Sequence, residues 1–444
     1  MSIKKILLVI LLFLMIGCTT MQEKNYVCTD DNELVKHQIY INKYGKLVNP
    51  LTRKIISNED DYIKCIIDNI EREKKQKLLV FIHGGLNTFT RANKRVSETK
   101  DDIMKIGDKY PIYISWDSNI FYNYIDHLFF IRQGNRPPLG WTASPFVLSE
   151  DFLRSVARIP ASTYNTLYGR NALLKTIFSK EKNIIDNYLN KLTLQGFNIH
   201  NNLNKTRSKI YNEDWLSALN PIKVILSPIV DGLGTGTWNS MLRRTDLVLR
   251  KDPIDIKGND KDSTTAVTKF FNAYTKRLSS TSIDLVGHSM GTIISNNILS
   301  KYGDETKLHF ENIVYMAAAC SIKDLEFVVA PYLERNIKSH FYALSLNHYR
   351  DLTEENFLKG SVPRGSVLIW IDKILGNINS FQDKTAGLWF NLVQGASSSF
   401  KGDNVRSRVH LTQFGINDAS PQNHNDFDND NFWRKIFWTG EMFK

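Results

Sequence analysis

The sequence predicts an α/β fold: a doubly wound, mostly parallel sheet that carries a large insertion. Short apolar runs typical of strands alternate with amphipathic helical segments, and short loops join them. The run at residues 78–82 is apolar throughout, as in a strand covered on both faces of a parallel sheet. The alternation stops between Trp116 and Thr264, an interval far longer than a single crossover needs. We therefore expect an insertion there.

The composition is that of an ordinary globular protein of 444 residues, with 42% apolar and 23% charged residues. That length suits one large core with an insertion, or two domains. The formal net charge of +11 comes from basic residues scattered along the chain. It fits a solvated basic surface, or attraction to anionic membranes. No zinc finger, RNA-binding signature or basic–aromatic platform occurs in the sequence, so nucleic acid is not expected as a partner.

Residues 1–18 are predicted to be a targeting segment. Lys4 and Lys5 precede an apolar run over residues 6–16, which is too short to span a bilayer and is typical of a secretory signal. The ending at residues 15–18 resembles a bacterial lipobox. That resemblance implies a lipid-anchored protein of the bacterial cell envelope with Cys18 lipidated, and Thr19 after it favours the outer membrane. A plain signal peptide is the alternative.

Export makes an oxidising compartment plausible for the remaining cysteines. Cys28 and Cys65 are candidates for a disulfide, whereas Cys320 follows an apolar strand and is expected to be a buried thiol. No C-x-x-C pair or His/Cys cluster has metal-ligand spacing, so the sequence predicts no metal site and no cofactor.

The segment 19–74 is predicted to be a tether, an edge hairpin and a helix. Residues 39–41 and 46–48 flank a turn with Gly45, and Ser57 is the predicted N-cap of the helix that follows. After the strand at 78–82 we predict a helix at 90–106 and a strand at 110–117.

The interval 118–262 is treated as the insertion, between core segments 75–117 and 263–444. Insertions at this point of such a sheet form caps or lids over a pocket, and the aromatic run at 120–131 suits either cap packing or lipid contact. A docking module for a partner, or packing that braces the sheet, are the alternatives. No protein partner can be named from the sequence.

The alternation resumes after the insertion. The predicted helices are 264–278, 292–302, 322–333 and 365–375, and the predicted strands begin at Ile283 and cover 312–319, 340–346 and 407–414.

The stretch Gly287-His288-Ser289-Met290-Gly291 joins a predicted strand directly to a predicted helix. A G-x-S-x-G sequence in that context is a nucleophile elbow, a turn so tight that only glycines fit on either side of the serine. Ser289 is thus the predicted nucleophile. The following helix N-terminus directs N–H groups toward developing negative charge.

A second motif, His83-Gly84-Gly85, follows the strand at 78–82. Glycines at this place let backbone N–H groups face the site and form half of an oxyanion hole. The predicted donors are the N–H groups of Met290 and Gly85, with Leu86 as the alternative to Gly85.

On these two motifs the chain resembles the α/β-hydrolases of the serine esterase/lipase type, over residues 75–444 apart from the insertion. It is also similar to a group of bacterial exported lipoprotein α/β-hydrolases. The narrower likeness rests on residues 81–87, 236–238 with Arg243 and Arg244, 363–366 and 370–372.

A serine triad in this chain order needs an acid and then a histidine after the last strand. His424, in a polar loop, is the predicted base; His410 is predicted to be a packed strand residue. Asp351 is the predicted acid, and Glu354 and Glu355 remain open. The expected reaction is hydrolysis of a carboxylic ester, with lipid esters as candidates, through an acyl-serine intermediate. A peptidase, an acyltransferase or a non-catalytic binding lipoprotein are the alternatives.

Overall fold

The computed structural model describes residues 22–23 and 33–443. Gaps occur at 107, 132–136, 138, 169–170, 201–220, 253–263, 279–280, 305–307, 355–364, 377, 416–420 and 430. Cys18, Cys28 and Glu355 lie outside the described residues, as does the predicted targeting segment 1–18. Cys65 is disulfide-bonded to a partner outside the described residues. Cys320 is a free, buried thiol, as predicted.

In the described part of the chain, eleven strands form one sheet, in the order β1-β4-β3-β2-β6-β5-β8-β9-β10-β11-β7. The strands are β1 (Gln22–Glu23), β2 (Gln38–Ile41), β3 (Leu47–Val48), β4 (Ile55–Ile56), β5 (Lys77–Ile82), β6 (Lys109–Trp116), β7 (Asn198–His200), β8 (Ser282–His288), β9 (Phe310–Met316), β10 (His340–Leu346) and β11 (Val409–Phe414).

The centre of the sheet is parallel, and the predicted hairpin lies toward one edge. β2 pairs antiparallel with β3, whereas every pairing from β2 through β6, β5, β8, β9, β10 and β11 to β7 is parallel. β5 is buried along almost its whole length, with a strand on each side, as its continuous apolar sequence predicts.

The order of the strands creates a switch point in the middle of the sheet. The chain runs from β5 outward to β6, then returns to the other side of β5 as β8 and continues through β9, β10 and β11. Ligand sites of open α/β sheets lie at the carboxyl ends of the strands at such a reversal. Here those ends lead into the two glycine motifs, which follow β5 and β8.

The helices of the described chain are α1 (Glu33–His37), α2 (Glu59–Glu73), α3 (Phe89–Ile106), α4 (Ile120–Phe129), α5 (Ser144–Tyr168), α6 (Asn171–Leu194), α7 (Pro221–Leu247), α8 (Ala266–Arg277), α9 (Gly291–Tyr302), α10 (Ile322–Asp324), α11 (Ala330–Arg335), α12 (His348–Thr353), α13 (Val367–Trp370), α14 (Trp389–Ser399), α15 (Asp403–Arg406) and α16 (Lys435–Trp438). Leu325–Val329 and Ile371–Leu375 form π-helical turns next to α10 and α13.

Several element boundaries differ from prediction. The N-cap of α2 is Asn58, whose side chain accepts from the Asp61 N–H, so the assignment to Ser57 was wrong by one position. β9 ends at Met316, because the next residue, Ala317, has a left-handed φ of 44° that breaks the extended backbone. The predicted helix 365–375 begins at Val367.

The insertion is not wholly a cap, which corrects the domain assignment for 118–262. Its short strand β7 pairs in parallel with β11 and extends the sheet at one edge. Three residues of mixed polarity carry too little periodicity to be recognised as a strand. Helix α7 of the insertion packs elsewhere, against α4, α5 and α9.

Within the part of the chain that the structure describes, no helix is both long and apolar enough to cross a bilayer.

Candidate active site

Ser289 occupies a strained turn between β8 and α9. Its φ is 50°, in the left-handed region that a residue with a side chain rarely adopts. A Cβ on Gly287 would lie 2.7 Å from Ser295 Oγ, and one on Gly291 would overlap the carbonyl oxygen of Ile82. Both glycines are therefore required by close packing, as the elbow motif predicts.

His424 reaches the serine from the segment after β11. Its Nε2 lies 2.9 Å from Ser289 Oγ, and both side chains are buried. His424 begins a 3₁₀ turn, and the Asn423 and Asp426 side chains cap that turn reciprocally. The structure thus joins the predicted nucleophile and base, which lie 135 residues apart in sequence.

The imidazole of His424 is held neutral. Burial, reinforced by neighbouring His288, lowers its pKa to about 3. A neutral ring is the form that can accept the serine proton. Its Nδ1 is buried and, among the described residues, has no hydrogen-bond partner.

Two of the predicted acids lie near the carboxyl end of β10, and neither bonds to Nδ1 here. Asp351, near the middle of α12, is buried, and its Oδ2 has no hydrogen-bond partner in the part of the chain that the structure describes. Burial raises its pKa well above the usual range. Glu354, just after α12, accepts a hydrogen bond from the backbone N–H of His424 at 3.0 Å. Burial raises the pKa of Glu354 to about 7.

The loop after β5 is fixed by its own polar groups. The Trp116 N–H donates to His83 Nε2 at 3.1 Å, so the ring proton sits on Nδ1 and is donated to Gly84 O at 2.7 Å. Asn87 Nδ2 donates to the same carbonyl at 3.1 Å. The Gly85 N–H points to the opposite side of that trans peptide, away from these donors.

The oxyanion alternative Leu86 is wrong in this structure. Its N–H donates to Ser118 O at 3.1 Å, just beyond the end of β6, and is not free for an oxyanion. Among the described residues, the N–H groups of Gly85 and Met290 donate no backbone hydrogen bond. A Cβ on Gly85 would lie 2.9 Å from Met290 Sδ, so these two segments are in contact beside Ser289.

Helix α7 of the insertion also reaches this loop. The same Cβ on Gly85 would lie 2.7 Å from Met241 Cε. Arg244 donates to Asp117 O at 2.8 Å and pairs with the buried Asp126 of α4 at 2.6 Å. These contacts tie α7 and α4 to the carboxyl end of β6.

A buried charged network lies next to His424, the predicted base, and of its members only His288 belongs to a motif recognised in the sequence. Arg95 of α3 pairs with Asp428 at 2.7 Å, and Asp428 contacts His288 Nδ1 at 3.1 Å. His288 Nε2 lies 3.0 Å from the carbonyl oxygen of His424. Burial alone would raise the pKa of Asp428, but His288 and Arg95 lower it below the usual range.

Both nitrogens of His288 thus face acceptors, and both contacts are hydrogen bonds only when each nitrogen carries a proton. The network links α3, β8 and the His424 turn. No sequence motif marks Asp428, which lies four residues after His424 in a polar segment.

His410 is a strand residue of β11, as predicted. It contacts His200 and His340 at 3.3 Å each and does not contact Ser289. Among the described residues, no group of three or more His, Cys, Asp or Glu side chains is arranged to hold a metal ion.

Comparison of the chain with protein-family models, with curated proteins and with solved structures gives no match, so a functional assignment has to stand on this geometry.

Proposed function

We propose that this protein is a serine hydrolase of the α/β-hydrolase type, which cleaves carboxylic esters through an acyl-serine intermediate. The observation that carries the proposal is the 2.9 Å contact between His424 Nε2 and Ser289 Oγ at a strained elbow. A hydroxyl becomes a useful nucleophile when an adjacent neutral imidazole can take its proton. The serine after β8 and the histidine after β11 also follow the chain order of that type.

The first step forms a bond between Ser289 Oγ and the ester carbonyl carbon as the serine proton moves to His424 Nε2. The carbonyl oxygen becomes an oxyanion, which the N–H groups of Gly85 and Met290 stabilise. Removing one such donor typically costs a factor of about 10²–10³ in rate. The protonated His424 then gives its proton to the leaving alcohol, and the acyl group stays on Ser289.

In the second step His424 takes a proton from water, and the resulting hydroxide attacks the acyl-serine. The new acid leaves, and His424 returns the proton to Ser289 Oγ. Atoms and charge balance over the cycle, which consumes one ester and one water and yields an acid and an alcohol.

We assign Asp351 as the orienting acid and Glu354 as a positioning residue. The buried, unpartnered Oδ2 of Asp351 and Nδ1 of His424 are the acceptor and donor that a triad pairs. No hydrogen bond joins these two atoms among the described residues, and the assignment requires that it form when substrate binds, as catalytic hydrogen bonds often do. Glu354 instead holds the backbone of the His424 turn.

The insertion is proposed to cover the pocket in part, because Met241 of α7 lies against Gly85. A lipid ester is the favoured substrate class, because the predicted lipid anchor at Cys18 would hold the enzyme at a membrane. That anchor and the cell-envelope location remain predictions from the sequence.

The test is labelling with a fluorophosphonate probe, followed by turnover of nitrophenyl esters of increasing chain length. Wild-type protein should label at one site, and Ser289→Ala should abolish labelling. The same variant should lower ester turnover by roughly four to six orders of magnitude.

The melting temperature should barely move, since only one hydroxyl is removed. Ester turnover retained in Ser289→Ala would overturn the proposal. Absence of labelling and turnover in folded wild type would favour a binding lipoprotein. Matched amide substrates test the peptidase alternative, and a non-water acyl acceptor tests the acyltransferase alternative.

A further inference from the structure

Helix α5 and the turn before it expose apolar side chains to solvent. Phe146 is 78% exposed, and Phe152 and Leu153 are each 66% exposed. We call the exposed apolar set the outer face; it comprises Leu139, Trp141, Phe146, Leu148, Phe152, Leu153, Val156 and Ile159. Scattered exposed apolar residues are normal, but a contiguous set on one helix marks an interaction site.

The opposite side of α5 is polar and buried. Ser144, Asp151 and Ser155 recur at helical spacing and are at most 8% exposed. Asp151 lies 3.2 Å from His127 Nε2 and 3.3 Å from the Tyr124 hydroxyl, both on α4. A surface helix in water normally has the reverse arrangement, with its apolar stripe inward.

Small residues mediate the packing of α5 on α7. A Cβ on Gly232 of α7 would collide with Ser155 of α5 and with the backbone at Asp151. Contact through small and polar residues, with apolar side chains outward, is typical of helices whose surroundings are lipid.

We propose that the outer face of α5 docks into a lipid bilayer. Two further features select lipid as the occupant. The net charge of +11 favours an anionic surface, and Arg158 of α5 has intermediate exposure beside the outer face, whereas Arg154 pairs with Glu150 at 3.0 Å. Only residues 19–21 separate Cys18 from β1, which is paired in the sheet, so the predicted anchor at Cys18 would hold the folded protein close to a membrane surface.

The docking is interfacial: the apolar side chains enter the boundary between headgroups and acyl chains, and no helix spans the bilayer. This inference goes beyond the proposed function and does not depend on it, because it holds whether or not Ser289 is a nucleophile.

The experiment uses the full chain with an environment-sensitive fluorophore, NBD, on an introduced cysteine. One label is placed by Leu153→Cys on the outer face. The matched control is Leu194→Cys, at the end of α6 in the same insertion, where the leucine is 90% exposed and off the outer face. Vesicles contain phosphatidylcholine and phosphatidylglycerol, with or without a phospholipid that carries a doxyl quencher in its acyl chain.

The label at 153 should shift to shorter wavelength on vesicle addition and be quenched several-fold more than the label at 194. The anchor does not confound this result, since both labelled proteins carry the same N-terminus. Equal, water-like emission from both positions would overturn the proposal. A shift at 153 that grows with protein concentration, without vesicles and without lipid quenching, would assign the face to a second copy of the chain and overturn it too.

Discussion

In the proposed mechanism the buried Asp351 orients His424, and this role can be compared directly with that of the neighbouring Glu354. Asp351→Asn keeps the shape of the side chain but cannot hold His424 with Nδ1 as the donor. We expect kcat to fall by about 10⁴, as for loss of a triad acid in general. Glu354→Gln keeps an oxygen for the His424 backbone N–H, so kcat should fall by less than about tenfold.

Steady-state ester kinetics, with circular dichroism to verify folding, make this comparison. A large loss in Glu354→Gln with near-normal turnover in Asp351→Asn would exchange the roles of the two residues. Serine labelling measured in both variants separates that outcome from a failure of the hydrolase assignment.

Among individual residues of the candidate site, the sequence predicts those that belong to short motifs. Ser289, Gly85 and Met290 follow from glycine spacing next to strands, and His424 from its place after the last strand. The identity of the acid cannot be predicted from the sequence, because three carboxylates lie within five residues and only the folded backbone distinguishes their positions. The exclusion of the Leu86 N–H likewise depends on Ser118, 32 positions away, which no local pattern reveals.

Between elements, the Arg95–Asp428–His288 network joins α3 and β8 to the turn that carries His424. Asp428→Asn leaves Arg95 buried without its counter-charge, which typically costs about 3–5 kcal/mol of stability. Because His288 then loses the carboxylate that orients it, the His424 carbonyl is held less firmly. We expect kcat to fall by about tenfold or more, at nearly unchanged KM.

A matched control is Asp284→Asn. Asp284 is equally buried, pairs with Lys109 at 2.7 Å and accepts from Asn312, with no contact to the site. Both variants should unfold at lower urea concentration. Only Asp428→Asn should slow fluorophosphonate labelling of Ser289 and alter the pH profile of kcat. Equal slowing in the two variants would mean that the network contributes to stability and not to the function of His424.

Elements with strong periodicity were predicted well, including β5, β10, α2, α3 and the hairpin of β2 and β3. Elements of the insertion were not. β7 is too short to show alternation, and the sequence analysis predicts no helix at α5, whose apolar residues lie on its exposed side in the structure. Whether these apolar side chains are exposed depends on what packs against the helix, which no local sequence pattern shows.

Across the whole molecule, several histidines are buried in neutral form, and this makes stability depend on pH. Burial lowers the pKa of His37 to about 4 and those of His83 and His424 to about 3. The unfolded chain therefore binds more protons than the folded protein between about pH 6.5 and those values. By linkage, these residues destabilise the fold progressively as pH falls through that window. Asp351 and Glu354, with raised pKa values, act in the opposite direction.

Because these contributions overlap, the test changes one histidine, His37. It compares how steeply the free energy of unfolding changes with pH in the variant and in wild type. His37 Nδ1 donates to Pro111 O at 2.9 Å, far in sequence from the elbow, and His37→Gln preserves an amide donor there. Urea unfolding from pH 7 to pH 4 should show a shallower loss of stability in the variant. The slope of the unfolding free energy should differ from that of wild type by up to about 1.4 kcal/mol per pH unit.

The control is Asn58→Ala, which removes the cap of α2 and should cost about 1 kcal/mol with an unchanged slope, because no titrating group is lost. Parallel stability curves for His37→Gln and wild type would mean that His37 is protonated in the folded protein. Burial would then not set its pKa, and the argument for acid lability would fail at its clearest residue.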